Sequence, residues 1–413
     1  MTASPKHPSK RQIARTSNRF AGGGVARLGD DFADREMERT EIAEALITPR
    51  GHSIVAGRRR IGKSSLLLAV RDDLAERQQP VLYVDLWTAS SLEDMTTRLA
   101  HEAANVLGRN WSDTVTELGK RLKLKWEIAE TPTGVMIPVP TVELRDGPLS
   151  TQRKRLVDAL DALEELAAKH NKHLGVILDE FQEIERLGSE ESPKPVSAMR
   201  MVRAAIQHHK HVTYVFAGSD RRLIEKLHNA KNGALYNLGR RFEIGPIPPE
   251  LFSVWIEREY SVMGIDASGV GRRIIEIAGP RTRDVRTLAE TAADLARDSR
   301  QVDEELLAEA MSAIVRQRRP MYEADWKGFT ALQQNLLRAM TTTRSGLTTA
   351  ETRRKYALGD SSRVSKALTA LDHRDVILNE GGSYVFDDPF FRSWIIVAAL
   401  PDVGVRLPIT YVP

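Results

Sequence analysis

The chain has 413 residues, room for two or three domains at roughly 150 residues each, and 60 basic against 56 acidic side chains. Hydrophobic residues make up 41% and charged ones 28%, which excludes a largely disordered, collagen-like or membrane-embedded chain. Cysteine is absent, which excludes a disulfide framework, thiol catalysis and cysteine-based zinc, and fits a cytoplasmic protein.

Residues 1–29 read as a flexible basic tail. Lys6, Lys10, Arg11, Arg15, Arg19 and Arg27 surround a glycine run at 22–24, with few large apolar side chains to offset the entropy of ordering. The stretch lacks the apolar segment of a secretory signal. It reads either as a disordered arm or as an arm that docks on nucleic acid. Residues 30–247 then alternate short apolar runs with helix-period stretches. The runs at 52–56, 81–86, 175–179 and 212–217 lack strict polar alternation, as strands buried on both faces of a parallel sheet do. Helical periodicity covers 63–77, 92–106, 151–169 and 195–208. This order predicts an α/β fold, an αβα core built on a parallel sheet. Residues 122–145 break the rhythm and read as an inserted hairpin. Residues 248–320 are helical throughout, with Pro320 as the expected stop, and 321–400 form a third unit before a tail at 401–413. The longest apolar run, about seven residues from Trp394 to Leu400, falls far short of the ~20 that span a bilayer.

The strongest signal is Gly57-Arg58-Arg59-Arg60-Ile61-Gly62-Lys63-Ser64, which fits the phosphate-loop spacing G-x-x-x-x-G-K-[ST]. An apolar strand precedes it, and an apolar helix beginning at Ser65 follows. The glycines allow a tight loop whose N–H groups face phosphate oxygens, and the helix adds its positive end. Lys63 reaches the β- and γ-phosphates of ATP, and the Ser64 hydroxyl ligates Mg²⁺. An acidic strand end completes such a site. Gly175-Val176-Ile177-Leu178 runs into Asp179 and Glu180, which places both carboxylates at the C-terminal edge of the sheet, where ligands bind in open α/β folds. Asp179 is read as the second Mg²⁺ residue and Glu180 as the group that polarises the attacking water. The next strand ends at Ser219, read either as a contact to the γ-phosphate or the water, or as a helix cap.

The third unit reads as three helices and a hairpin, a winged helix. Leu332, Leu336, Leu337 and Met340 keep helical spacing, and Val364, Leu368 and Leu371 form the apolar face of a third helix capped by Asp360. Glu380-Gly381-Gly382-Ser383 makes a tight wing. Arg363 and Lys366 point outward from the third helix. That face is read either as a DNA contact or as a clasp against the core or a protein partner. His208, His209 and His211 cluster without visible carboxylate support and are not read as a metal site.

These residues resemble AAA+ and STAND-type P-loop ATPases of archaea and bacteria that carry a C-terminal winged helix and are related to origin initiators. The resemblance rests on Phe32-Ala33-Asp34-Arg35-Glu36-Met37-Glu38, on Asp179-Glu180-Phe181-Gln182, on Ala217-Gly218-Ser219, and on the closing stretch from Tyr384 to Trp394. It implies a helical lid at 248–320. It implies an arginine finger at Arg240, with Arg241 as the neighbouring register, acting in trans within a homo-oligomer. It also implies a γ-phosphate-reading Arg281 on the lid, with Arg283 as the competitor. The activity implied is hydrolysis of ATP·Mg²⁺ by a switch ATPase associated with nucleic acid, of initiator or mobile-element type. The alternative is a STAND-like signalling or defence ATPase with a protein partner and the winged helix as an internal clasp.

Overall fold

The structure, a computed structural model, describes residues 18–20, 33–107, 125–130, 136–141, 148–187, 198–219, 236, 238–343 and 345–398. The chain divides into two units, one of Val25–Gly245 and one of Met1–Gly24 with Pro246–Pro413.

The described elements of the first unit are α1 (Glu36–Ile47), β1 (Ser53–Gly57), α2 (Lys63–Glu76), β2 (Val81–Asp85), α3 (Leu92–Leu107), β3 (Lys125–Glu130), β4 (Met136–Thr141), α4 (Leu149–Lys169), β5 (Leu174–Asp179), α5 (Glu183–Leu187), α6 (Ala198–Ile206), β6 (Val212–Gly218) and β7 (Arg240–Ile244). The four apolar runs become β1, β2, β5 and β6, and the more polar β7 joins them in a five-stranded sheet in the order β2-β5-β6-β1-β7. All its pairings are parallel. Successive side chains alternate between the two faces, so each strand feeds two cores. Ile54, Leu82, Val176 and Phe216 face Leu99, Leu160 and Val202 of α3, α4 and α6. Val55, Ile177, Val215 and Phe242 face Leu46, Leu67 and Val70 of α1 and α2. The result is the expected αβα layering. β3 and β4 pair antiparallel, with Lys125 opposite Thr141 and Glu130 opposite Met136.

At the N-terminal edge of this sheet the histidines find the carboxylates that the sequence reading did not see. His209 is buried between Asp161 and the Tyr214 hydroxyl, each at 3.1 Å, and His211 Nδ1 lies 3.0 Å from Glu164. Glu164 also accepts the backbone N–H groups of Lys210, His211 and Val212, which fixes the start of β6. These partners come from α4, 47 and 48 positions upstream, so local sequence could not reveal them. The described residues contain no group of three or more side chains able to hold a metal ion.

The second unit holds α7 (Pro249–Met263), α8 (Val270–Ala278), α9 (Thr282–Leu295), α10 (Glu304–Lys327), α11 (Ala331–Met340), α12 (Ala350–Lys355), α13 (Ser361–His373), β8 (Ile377–Glu380), β9 (Ser383–Phe386) and α14 (Pro389–Ala398). Pro320 does not end a helix, because α10 runs through it. Beyond the proline, buried Tyr322 packs on Phe391 and Trp394, which holds the second half of α10 in place. Asp360 caps α13 by accepting the Arg363 N–H, and Val364, Leu368 and Leu371 are buried as the pattern predicted. Gly381 and Gly382, with φ of 62° and 96°, supply the left-handed pair that a two-residue turn between β8 and β9 requires.

One short piece of the stretch read as a flexible tail is anchored. Phe20 is 1% exposed and lies against Trp255 and Tyr260, with ring centroids 5.7 and 4.9 Å away. Arg19 pairs with buried Glu259, and Asn18 donates to the Glu290 carbonyl at 2.9 Å. A single large apolar side chain among basic residues suffices here because α7 and α9 present both an aromatic pocket and a buried carboxylate. The remainder of 1–29, apart from these three residues, and the tail at 401–413 lie outside the described residues.

Candidate nucleotide site

The site is built where β1, β5 and β6 end. β1 is buried throughout and delivers Gly57 beside β7. A Cβ at Gly57 would sit 2.7 Å from the Ile244 carbonyl, so the first glycine of the motif is required by packing as well as by loop curvature. Gly62 stands at φ 99°, in the left-handed region, directly before α2 begins at Lys63. Arg58, Arg59, Arg60 and Ile61 form the loop between these glycines. Arg59 lies over the Trp87 ring at 4.7 Å, and that ring is half exposed at the end of β2. Ser64 and Ser65 occupy the first turn of α2, at the positive end of the helix, which favours a bound anion.

Lys63 is 5% exposed and donates to the carbonyls of Gly57 and Arg58, both at 2.9 Å. Burial pulls its ammonium below the ordinary lysine range, while Glu180 and Asp179 push the other way. Asp179 ends β5 and is 1% exposed. Its two oxygens take different donors: the Glu180 N–H at 2.9 Å and the Tyr83 hydroxyl at 2.7 Å. Burial, then the charge of Asp179, pushes the Tyr83 phenol far above its usual range, so it acts as a donor.

Glu180 stands at φ 51°, a left-handed conformation that is costly for a side chain of its size. Its carboxylate accepts the Ser219 hydroxyl at 2.7 Å and the amide of Gln182. Gln182 also reaches Ser219 at 3.4 Å. The strand-end serine and the acidic pair, 39 positions apart in sequence, are thus brought together because β5 and β6 are neighbours. Of the residues expected at the site, the phosphate loop, Asp179, Glu180 and Ser219 share this strand edge. Tyr83, Gln182 and Trp87 were not picked out from sequence. Tyr83 sits in an aliphatic run and reads as core, and only its hydroxyl hints otherwise.

The remaining expected residues have other partners. Arg240 is the first residue of β7, lies over Phe242 at 4.6 Å and pairs with Glu41 at 2.8 Å. Arg241 pairs with Glu243. Arg35 of the opening motif is buried, holds Glu38 at 2.8 Å and donates to the Gly245 carbonyl. In the second unit Arg281 is 5% exposed and grips Asp387 with both terminal guanidinium nitrogens, one of them at 2.8 Å. Arg363 and Lys366 are exposed on α13.

A parallel αβα sheet with a phosphate loop and an acidic strand end defines the P-loop ATPase class. Residues 32–250, over half of the chain, match the family described as "ATPase domain predominantly from Archaea", and the chain belongs to that family. Residues 320–396 match the family described as "Probable winged helix domain". Among solved structures the chain is similar to a Walker-type ATPase of Pyrococcus abyssi, at 16% identity and a TM-score of 0.62, covering 92% of this chain and 99% of that one. It is also similar to the ORC2 protein of Aeropyrum pernix in its ADPNP-ADP complexes, at 14% identity and a TM-score of 0.47, covering 92% and 97%. Comparison with curated proteins gives no match. No helix among the described residues is long and apolar enough to cross a membrane.

Proposed function

We propose that the protein binds ATP with Mg²⁺, hydrolyses it slowly to ADP and phosphate as a switch, and works in contact with DNA. The observation that carries the hydrolytic reading is the Glu180–Ser219 pair beside Asp179 at the strand edge that also bears the phosphate loop. The Ser64 hydroxyl and the Asp179 carboxylate are hard oxygen donors, and a small set of this kind, completed by water and phosphate oxygens, suits Mg²⁺. When bound, Mg²⁺ supplies charge neutralisation at the β- and γ-phosphates. The loop from Gly57 to Ser65 offers its N–H groups to those phosphates. Lys63 exchanges its two backbone carbonyls for phosphate oxygens. Glu180 orients the attacking water, and Ser219 fixes the Glu180 carboxylate.

Arg240, released from Glu41, serves a neighbouring subunit's nucleotide in a homo-oligomer. Exposed Arg363 and Lys366 on α13, with exposed Arg354 and Lys355 on α12, support contact with DNA phosphates. A second reading, the STAND-like one with the winged helix as a clasp, draws on a different observation. Asp387 and Asp388, just before α14, are tied to Arg281 and to Arg318 of α10.

One experiment separates these readings. Duplex binding is measured across a salt titration with the Glu180→Gln protein holding ATP, with and without Arg363→Glu and Lys366→Glu. Glu180→Gln should retain ATP and stop turnover; a parent-like rate would place the catalytic residue elsewhere. A DNA-reading face loses affinity steeply on charge reversal, and its salt slope flattens by about one unit per lost phosphate contact. Unchanged DNA affinity with a raised ATPase rate in the otherwise unaltered chain would instead favour the clasp.

A further inference from the structure

Resting on the ATP·Mg²⁺ reading of the site, we propose that Tyr83 is a positioning residue for the metal-binding side of the site: its hydroxyl sets the Asp179 carboxylate in the orientation that receives Mg²⁺.

Tyr83 lies on β2, the edge strand, in register with Ile177 of β5, two residues before Asp179. Its ring packs against the core under α1 and α2, and its hydroxyl extends along the sheet to the strand end. There it donates to Asp179 Oδ2 at 2.7 Å. One phenol on the edge strand therefore touches the carboxylate assigned to Mg²⁺, which ends the neighbouring strand.

Packing alone does not call for that hydroxyl. A phenylalanine would fill the same space, and a partly buried phenol loses solvation that only a hydrogen bond restores. The bond it makes is charge-assisted and therefore strong. The Glu180 N–H holds the other oxygen of Asp179, so the carboxylate is pinned at both oxygens and its plane is fixed. A carboxylate offers about four lone-pair sites, so two donors leave acceptor capacity for a cation's water shell. Orientation of a ligand by such an outer partner is worth about 10- to 100-fold in metal affinity.

The test compares affinity for the non-hydrolysable analogue AMP-PNP in Mg²⁺ and in EDTA, by calorimetry, for the parent and Tyr83→Phe. Phenylalanine keeps the ring and its packing, and a thermal melt checks the fold. The gain in affinity that Mg²⁺ confers should shrink by about tenfold or more in Tyr83→Phe, while affinity in EDTA stays at the parent value. In an Asp179→Asn background Tyr83→Phe should add no further loss. An equal Mg²⁺ gain in parent and variant overturns the assignment. So does a larger gain in the variant, which would make the hydroxyl an obstacle to the metal. Equal losses in Mg²⁺ and EDTA would reduce Tyr83 to a packing role and overturn it too. A parent that gains nothing from Mg²⁺ refutes the metal reading of the whole site, an outcome separate from the failure of Tyr83 alone.

Discussion

Arg281→Ala tests whether this guanidinium is structural or serves nucleotide. Arg281 is 5% exposed, both terminal nitrogens face Asp387, and Asp284, itself 1% exposed, lies 3.9 Å away. Removing the cation leaves two carboxylates facing the vacated space, one of them fully buried. Breaking a buried pair from one side costs about 3–5 kcal/mol, and the 19% exposure of the Asp387 side chain moves the expectation to the low end, about 3 kcal/mol. Asp387→Asn keeps the shape and part of the hydrogen bonding, so it should cost about half as much. In a double-mutant cycle the coupling should be about 2 kcal/mol, because the two side chains are in direct contact. Amide hydrogen exchange on the full chain localises the effect to α9 and to the β8–β9 hairpin. The reasoning fails if Arg281→Ala leaves exchange in both segments within about 0.5 kcal/mol of the parent. If that variant also binds ATP normally and no longer hydrolyses it, the guanidinium serves the γ-phosphate, as the resemblance implied.

Lys63→Ala should weaken ATP binding by at least about two orders of magnitude, the loss expected when the cation facing two phosphates is removed; calorimetry showing parent affinity would refute the phosphate-loop reading. Specific ATPase activity of the parent should rise with protein concentration, and Arg240→Ala should abolish that rise without touching ATP affinity; concentration-independent rates equal in both proteins would leave Arg240 as the partner of Glu41 only. Burial pulls His52 down to about 4 from its usual 6.5, so between those values the unfolded chain binds more protons than the folded one and stability rises with pH. Between pH 5 and pH 7 the gain should be about 2 kcal/mol, flat above, and His52→Asn, which keeps an acceptor for the Tyr214 N–H, should remove it; a variant with the parent's pH dependence would show that another group titrates.

The centre of the sheet was legible because β1, β5 and β6 are buried on both faces, and that burial demands unbroken apolar runs. The phosphate loop was legible because phosphate geometry dictates its glycine and lysine spacing. What escaped was set by contacts across elements. Tyr83 reads as core until β2 is placed beside β5. His209 and His211 look unsupported until α4 supplies Asp161 and Glu164. Pro320 reads as a stop, yet a proline removes a single backbone donor, and the aromatic packing of Tyr322 beyond it outweighs that loss. Phe20 reads as one apolar residue in a basic tail, because nothing local encodes the pocket formed by Trp255 and Tyr260.

The hydrogen bonding of the site bears on why turnover should be slow. Lys63 gives two of its three N–H donors to carbonyls of its own loop, and Oε2 of Glu180 accepts from Ser219 and Gln182. Phosphate must displace the first pair of bonds, whereas an attacking water can use Glu180 Oε1, because both bonded donors lie on Oε2. Glu180 is also held at φ 51°, so the backbone that presents it is strained and has a relaxed alternative. Net exchange of one hydrogen bond for another costs little, about 1 kcal/mol, so the two exchanges at Lys63 together lower the population of the competent arrangement by roughly one order of magnitude. A cation that must give up loop contacts and a base presented by a strained backbone fit the switch reading proposed above.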